Sequence, residues 1–128
     1  MSELTAQPIA TPGLESSVEL EDGVVAVVLR GTADQEAVDG FTAFFGDLQK
    51  DVARLNVEEV KFDFRELEFL SASCFKRFAW WLEEVMSTGS PERVRFLSSS
   101  DHIWQRFSLN ALTSFAEGRA VMEEDPSD

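Results

Sequence analysis

The spacing of apolar residues changes from a helical period to a strand period over residues 38–64, and this change limits the folds open to the chain. Apolar side chains recur at alternating intervals of three and four, as on one face of an amphipathic helix, at Val38, Phe41, Phe45, Leu48, Val52 and Leu55. Val60, Phe62 and Phe64 then occupy every second position, which is typical of a strand. Helix and strand patterns that alternate along a chain predict an α/β fold, in which helices pack on a sheet.

Similar patterns continue on both sides of this region. Strands predicted at residues 18–20 and 24–30 flank the dipeptide Asp22-Gly23, which is a strong signal of a tight hairpin turn. Helices are predicted at about residues 34–55, with Asp34 as the cap, and at 73–87 and 101–109. Further strands are predicted at 57–64, 94–97 and 120–122, with a turn at 67–70.

One domain accounts for the whole length. The chain has 128 residues, which is about one domain, and it contains no internal repeat. Residues 1–16 include Pro8, Pro12 and Gly13 and show no periodicity, so they are predicted to form a flexible N-terminal tail. The domain is then expected to span residues 17–122, and the acidic residues 123–128 are expected to form a C-terminal tail.

Charge and cysteine content restrict the partners and the compartment. The net charge is −13, and nucleic acids and anionic membranes both require a basic footprint, so neither is expected as a partner. Residues 61–122 hold eight acids and eight bases, so a surface for an acidic or phosphorylated group would come from this half; a generic acidic surface is the alternative. The single cysteine, Cys74, and an N-terminus without the apolar core of a signal peptide predict a cytoplasmic protein.

Residues 61–81, KFDFRELEFLSASCFKRFAWW, combine a strand, a turn, small polar residues and an amphipathic helix in that order. This segment resembles the STAS domain of the anti-sigma factor antagonist family, in which a strand leads into Phe-Ile/Met-Asp-Ser-Ser-Gly-Leu at a helix start. The matching residues are 69–75, FLSASCF. The family's Leu-x-Gly-x-x-Asp matches residues 29–34, and its late helix matches Ile103, Phe107 and Leu112, so the resemblance covers about residues 18–122.

The resemblance implies both a fold and a function. The implied fold is a single-domain STAS-like α/β fold, with a central mixed β-sheet of four to five strands and helices packed on it. The implied function is that of a non-enzymatic regulatory module, without cofactor or metal. Such a module binds a protein partner, either a serine kinase-like anti-sigma factor or other STAS proteins in a signalling complex. A weak homodimer is left open as a further association.

The sequence departs from the family at the phosphorylation site. In the family, phosphorylation of the first Ser of Asp-Ser-Ser-Gly switches binding off, because a phosphate adds about −1.5 to −2 charges to the binding surface. Ala72 stands at that position and has no hydroxyl, so the usual switch is lost or displaced. Ser71 and Ser73 remain phosphorylation candidates, although Ser73 also fits the role of helix N-cap, which is the favoured interpretation.

The polar face of the predicted helix at 73–87 carries two cations and a tryptophan. At about 100° per residue, Lys76, Arg77 and Trp80 lie opposite the apolar face, which is formed by Phe75, Phe78, Ala79, Trp81, Leu82, Val85 and Met86. Cations in a first turn oppose the helix dipole, and tryptophan is enriched at interface hot spots; solvated charges and an isolated exposed aromatic are the alternatives. The predicted partner-binding residues are Ser71, Ala72, Ser73, Lys76, Arg77 and Trp80, with Trp104 as a second interface aromatic.

The sequence offers few catalytic groups. It has no glycine-rich phosphate loop, no Gly-x-Ser-x-Gly and no regularly spaced metal ligands, and we expect a protein that is not an enzyme. The lone His102 and lone Cys74 do not form a recognisable nucleophile pair. The alternative is a small enzyme, or a small-ligand or redox-sensing domain that uses Cys74 near a helix start; a buried cysteine that acts as a small hydrophobe is favoured over it.

Overall fold

The computed structural model describes residues 4–125, which form one five-stranded sheet and three α-helices. In chain order the elements are β1 (Leu14–Glu21), β2 (Val24–Ala33), α1 (Val38–Arg54), β3 (Glu59–Leu70), α2 (Ala72–Thr88), β4 (Arg93–Ser99), α3 (Ile103–Thr113) and β5 (Ala120–Asp125). The spatial order is β1-β2-β3-β4-β5, with β1 antiparallel to β2 and all other neighbours parallel. The predicted α/β class with a mixed sheet is confirmed.

A two-residue hairpin joins the only antiparallel pair of strands in the described part of the chain. Glu21 pairs with Val24, and the intervening Asp22 and Gly23 have φ angles of 52° and 79°. Two positive φ angles in succession define the type I′ turn, whose twist matches that of the flanking strands and which favours Asp-Gly. The turn predicted from this dipeptide is therefore confirmed.

Each of the three helices connects neighbouring parallel strands, and each connection advances in the same direction across the sheet. Connections of this kind are almost always right-handed, so α1, α2 and α3 lie on one face of the sheet. Phe62 of β3 points to that face, with its ring centre 5.2 Å from the ring of Phe78 in α2 and 5.9 Å from that of Phe45 in α1. The aromatic core therefore lies between the sheet and the helices.

The residues predicted for the core are buried there. Each of them has at most 7% of its surface exposed: Phe41, Phe45, Phe62, Phe78, Leu82, Val85 and Phe96. Met86 was assigned to the same apolar face of α2, but it is 43% exposed. Its position near the end of the helix carries the side chain beyond the edge of the core, so that assignment is wrong.

The described part of the predicted N-terminal tail is packed against the domain. Ala6 and Ile9 are 3% and 4% exposed, and β1 begins at Leu14 instead of Val18. The buried Asp51 of α1 holds this segment: its carboxylate accepts hydrogen bonds from the backbone N–H groups of Thr5 and Ala6, both at 2.9 Å. The prediction of a flexible tail is wrong for residues 4–16, and residues 1–3 lie outside the described residues.

Close contact between β2 and the N-terminal segment explains the glycine of the Leu-x-Gly-x-x-Asp pattern. Gly31 has a φ of 97°, and a Cβ atom at this position would collide with the carbonyl oxygen of Gly13. The next residue, Thr32, donates its backbone N–H to that same oxygen at 2.7 Å. Asp34 then caps the 3₁₀ turn at Gln35–Ala37 by accepting a hydrogen bond from the Glu36 N–H, as its predicted role requires.

Several predicted boundaries differ from the structure. β3 continues to Leu70 because β2 continues beside it, with Ala33 opposite Leu70, so the predicted turn at 67–70 is wrong. α3 covers 103–113 instead of 101–109. β5 extends through Asp125, so residues 123–125 are not a tail, and residues 126–128 lie outside the described residues. Within residues 4–125, no helix has the length and apolar character needed to cross a bilayer.

Candidate functional site

The loop between β3 and α2 sets where the second helix starts. Ser71 has extended backbone angles (φ −69°, ψ 158°), and its Oγ accepts a hydrogen bond from the Cys74 N–H at 3.2 Å, so Ser71 is the N-cap of α2. Its own N–H donates to the Ala33 carbonyl of β2 at 2.8 Å. Ser73 was favoured as the N-cap, and that prediction is wrong: Ser73 lies inside the first turn and is half-buried. The N-cap lies two residues earlier than predicted because β3 continues to Leu70, so that α2 begins directly after Ser71.

Three predicted site residues form one exposed stripe on α2. Ala72, Lys76 and Trp80 are separated by four residues each, which is slightly more than one helical turn, and all three are exposed. Trp80 exposes 54% of its surface. The stripe therefore starts at the first residue of the helix and places a methyl group, an ammonium group and an indole in a row on the surface.

Arg77 is held beside this stripe instead of being free in solvent. Its guanidinium carbon lies 4.5 Å from the centre of the Trp80 ring, within the range of a cation–π interaction. The side chain is half-buried, and its Nε atom is buried without a hydrogen-bond partner. Lys76 is therefore exposed opposite the apolar face, as the alternative of solvated charges requires, whereas Arg77 is not fully solvated.

A notch between α1 and α2 lies directly beside the stacked pair. It has a volume of about 210 Å³ and is lined by Thr42, Phe45, Gly46, Arg77, Trp80, Trp81 and Glu84. Trp81 forms its floor: the indole N–H donates to the side chain of Gln49 in α1 at 2.8 Å, and its ring is 2% exposed. The structure thus joins two predicted site residues, Arg77 and Trp80, to a concave surface that includes α1, which the sequence did not indicate.

Cys74 is not placed for redox chemistry. Its side chain is fully buried, and its Sγ donates to the Asp34 carbonyl oxygen at 3.3 Å. Burial raises the pKa of the Cys74 thiol above its ordinary value, and this outweighs the hydrogen bond to Ser71. Reactive cysteines are thiolates that solvent can reach, so the alternative of a redox sensor at Cys74 is contradicted and the role of a small buried hydrophobe is supported.

The structure gives the surroundings of the residues that the sequence analysis named in and before α3. Ile103 and Phe107, which matched the family's late helix, are 71% and 70% exposed and do not belong to the core. Trp104 is half-buried against the core, with its indole N–H buried and unpaired, so it is a poorer interface candidate than Trp80. His102 is half-buried at the position before the helix and makes no side-chain cap.

Gln105 of α3 is the polar residue that positions the end of the sheet next to the loop. It is fully buried, and its side-chain amide donates to the carbonyl oxygens of Phe64 at 2.5 Å and Leu67 at 2.8 Å, both in β3. Its carbonyl oxygen accepts the N–H of Ser99, at the end of β4. A signal was present in the sequence: Gln105 is in helical phase with Leu109 and Leu112, which is the buried face.

A cavity larger than the notch lies away from the α2 stripe, on the sheet face that carries no helix. It has a volume of about 630 Å³ and is lined chiefly by charged residues of the strands, among them Glu59, Arg93 and Arg95. These charges are paired with one another: Glu59 lies 3.3 Å from Arg93 and 2.8 Å from Arg95. Among residues 4–125, no group of three or more His, Cys, Asp or Glu residues could hold a metal ion.

The strand order and the three helices on one face of the sheet match the SpoIIAA-like fold of solved anti-sigma factor antagonists. An anti-sigma factor antagonist from Mycobacterium paratuberculosis is 20% identical and has a TM-score of 0.64, covering 82% of this chain and 84% of its own. SpoIIAA in its unphosphorylated form is 18% identical with a TM-score of 0.58, covering 86% and 88%. The phosphorylated form of the Bacillus cell fate determinant SpoIIAA has the same identity and TM-score, with coverage of 86% and 90%. No protein-family model and no curated protein sequence matches the chain.

Proposed function

We propose that this chain is a non-enzymatic regulatory module that binds a protein partner through the exposed α2 stripe and the Arg77–Trp80 pair. The partner we propose is a serine kinase-like anti-sigma factor, or another STAS protein of a signalling complex, in the cytoplasm. The observation that carries the proposal is the geometry at Trp80. A large aromatic is exposed beside a concave notch, two turns from the loop that matches the family's phosphorylation site.

Trp80 has the properties of an interface hot spot. Tryptophan and arginine are the residues most enriched at such positions, and each buries a large area or several donors when a partner docks. Here the two are already stacked, so little side-chain entropy remains to be lost on binding.

The charge of the stripe supports an acidic or polar partner surface. The chain carries a net charge of −13, yet Lys76 and Arg77 stand side by side in the second turn of α2, one turn before the exposed Trp80. No ion pair to either side chain occurs among the described residues. Cations kept in such a place steer a complementary partner and fix its orientation.

The exposed methyl of Ala72 supports a module without the usual phosphorylation switch. Ala72 is the first residue of α2 and is exposed, and a hydroxyl at this point would be open to a kinase. Ser71 and Ser73 remain the candidates for a displaced switch. Both are half-buried, and the Oγ of Ser71 is already occupied as a helix cap.

The test begins with capture of partners from the native organism by the full chain, with identification of partners and phosphosites by mass spectrometry. Affinity for the captured anti-sigma-type partner is then measured for Trp80→Ala, which we expect to weaken binding by at least about thirtyfold. Val121→Ala is the control, since Val121 is a 44% exposed apolar residue on the opposite side of the sheet. Equal affinity of Trp80→Ala and the parent would place the interface elsewhere and reject the proposed site.

Incubation of the chain with a cognate kinase, followed by peptide mapping, tests the displaced switch. Phosphate on Ser71 or Ser73 that lowers partner affinity supports it. Phosphate found only outside residues 71–73, or no phosphate at all, would contradict a switch at Ser71 or Ser73. The proposal would then be a module that binds without a switch at this loop.

A further inference from the structure

The face of the sheet opposite the helices is not covered by any described part of the chain. The row of residues across its middle consists of Ala26, Lys61, Arg95 and Val121, which pair in register, and each of them is half-buried or exposed. β2 to β5 are parallel, and sheets of parallel strands are nearly always covered on both faces. Because β1 pairs antiparallel to β2, this sheet is mixed, and its uncovered face is open to another body without requiring one.

Charge is distributed unevenly across this face. The β1 edge contributes three exposed carboxylates, from Glu15, Glu19 and Glu21. The other strands contribute five of the chain's eleven cations, which are Arg30, Lys61, Arg65, Arg93 and Arg95. Four of these five cations pair with carboxylates of their own chain: Arg30 with Glu66, Arg65 with Asp63, Arg93 with Glu59, and Arg95 with both Glu59 and Glu123. The face is thus acidic along the β1 edge and nearly neutral over the other strands.

We propose that a second copy of this chain covers the face, with the two sheets stacked about a two-fold axis that runs parallel to the strands between β2 and β3. Such an axis reverses the strand order, so that β1 of each copy lies across β4 of the other. Glu19 and Arg95 belong to one row of the sheet, and Glu21 and Arg93 to another. The rotation therefore brings Glu19 of one copy opposite Arg95 of the other, and Glu21 opposite Arg93.

A second copy fits this surface because a two-fold axis forms each complementary contact twice, once from each copy. Within one chain the three glutamates of β1 have no ion pair among the described residues, and Arg93 pairs with Glu59 while 66% of its side chain stays exposed. The acidic β1 edge therefore lacks cations that the β4 row of another copy supplies. The like net charge of the two copies, −13 each, opposes association and limits the affinity.

The size of the face also fits a weak dimer. The axis between β2 and β3 leaves no strand opposite β5, so four strands about 4.8 Å apart, with six residues or more at about 3.3 Å each, give an overlap of roughly 19 by 20 Å. Two such faces bury about 800 Å², which is small for a specific interface and fits only weak self-association. The α2 stripe lies on the helical layer and stays free in this dimer, so the dimer goes beyond the proposed function and does not depend on it.

The test is sedimentation of the full chain from about 1 µM to about 1 mM, with two charge reversals chosen from the same row. Glu21→Lys places a lysine opposite Arg93, and Arg93→Glu places a glutamate opposite Glu21; each variant alone should weaken self-association by at least about tenfold. An equimolar mixture of the two variants should associate again, because each interface pair then joins opposite charges. Glu83→Lys, with the same charge change on the helical side, is the control.

Restored association in the mixture, at close to the parent's dissociation constant, supports the dimer and its axis. Melting curves establish first that each variant folds like the parent. A parent chain that stays monomeric over the whole range, a dimer that both reversals leave unchanged, or a mixture that stays dissociated would each overturn the proposal.

Discussion

The guanidinium carbon of Arg77 lies 4.5 Å from the centre of the Trp80 ring, and this stacking holds both side chains at the mouth of the notch between α1 and α2. The two residues are three positions apart, which is close to one helical turn, so the contact follows from the helix itself. A flat guanidinium can stack on an indole while its edge donates hydrogen bonds to a docked carboxylate. The pair is therefore ordered before a partner arrives.

Replacing Arg77 with lysine separates the charge from the stacking. Arg77→Lys keeps the positive charge but loses the planar contact with Trp80, so we expect partner affinity to fall about tenfold, or about 1.4 kcal/mol. Association rates should change little, because steering depends on charge. Titration calorimetry and stopped-flow binding measure the two effects. Lys50→Arg, at an exposed position of α1, is the control, and equal affinity of Arg77→Lys and the parent would show that the stacking has no role in binding.

Phe78 is the centre of the aromatic core, and its loss should be costly. Its ring centre lies 4.9 Å from Phe45 and 5.2 Å from both Phe41 and Phe62, and the residue is fully buried. Phe78→Ala should lower the free energy of unfolding by about 3–5 kcal/mol in denaturant melts. Phe107→Ala removes a phenylalanine that is 70% exposed and should change it by less than about 0.5 kcal/mol. Similar losses in both variants would contradict the assigned core.

Asp51 makes stability depend on pH through the N-terminal segment. Burial acts to raise the pKa of Asp51, but hydrogen bonds from Ala6, Thr5 and Arg54 outweigh it and hold the pKa below the ordinary 3.8. A carboxyl group with a lowered pKa in the folded state stabilises the fold above its unfolded pKa. That contribution is lost as the pH falls through the folded pKa.

Asp51→Asn should therefore destabilise the chain by about 1–3 kcal/mol at neutral pH, because an amide cannot accept all of these bonds. The difference from the parent should shrink once the pH falls below about 4 and continue to shrink toward the lowered folded pKa. Urea melts at a series of pH values measure this difference in the free energy of unfolding. Asp47→Asn, on the same helix and half-buried, is the control. A pH-independent difference between Asp51→Asn and the parent would show that the carboxylate charge contributes nothing.

Gln105 joins α3 to the ends of β3 and β4 through hydrogen bonds, and its replacement by an apolar residue of similar size should lower the stability of the fold. Gln105→Leu leaves the carbonyl groups of Phe64 and Leu67 and the N–H of Ser99 buried without this partner. Each unpaired group costs about 1–3 kcal/mol, so we expect a loss of at least 3 kcal/mol or so. Thermal melts compare it with Gln35→Leu, at an exposed position. A loss no larger than that of the control would mean that the buried groups find other partners.

The sequence predicted those parts of the fold that local patterns determine. The 3–4 spacing from Val38 to Val52 predicted α1, and Asp22-Gly23 predicted the hairpin, because both patterns involve neighbours along the chain. The packing of residues 4–13 could not be predicted in this way. Its anchor, Asp51, is 45 residues from Ala6 in the sequence, and a charged residue in a helix gives no sign that its partner is a distant backbone.

The sequence also predicted those parts of the site that depend on the phase of one helix, and it missed those that depend on other elements. Helical phase placed Lys76, Arg77 and Trp80 opposite the apolar face, and the structure exposes Lys76 and Trp80 while Arg77 is half-buried. The capping residue was misplaced by two positions because the length of β3 depends on pairing with β2, which no local pattern reports. The notch beside Trp80 was missed for a similar reason, since its other wall is Phe45 and Gly46 of α1.

Ala72→Ser should return a hydroxyl to the exposed first position of α2, where the resemblance to anti-sigma factor antagonists places the phosphorylated serine. The unphosphorylated variant should bind the partner as the parent does, since the change adds one oxygen atom. After treatment with the cognate kinase, its affinity should fall at least about tenfold, because a phosphate adds about −1.5 to −2 charges beside Lys76, one of the proposed partner-binding residues. The same treatment should leave Ala43→Ser, at an exposed position of α1, unchanged. A variant that is phosphorylated at residue 72 and still binds like the parent would show that the partner docks away from the start of α2.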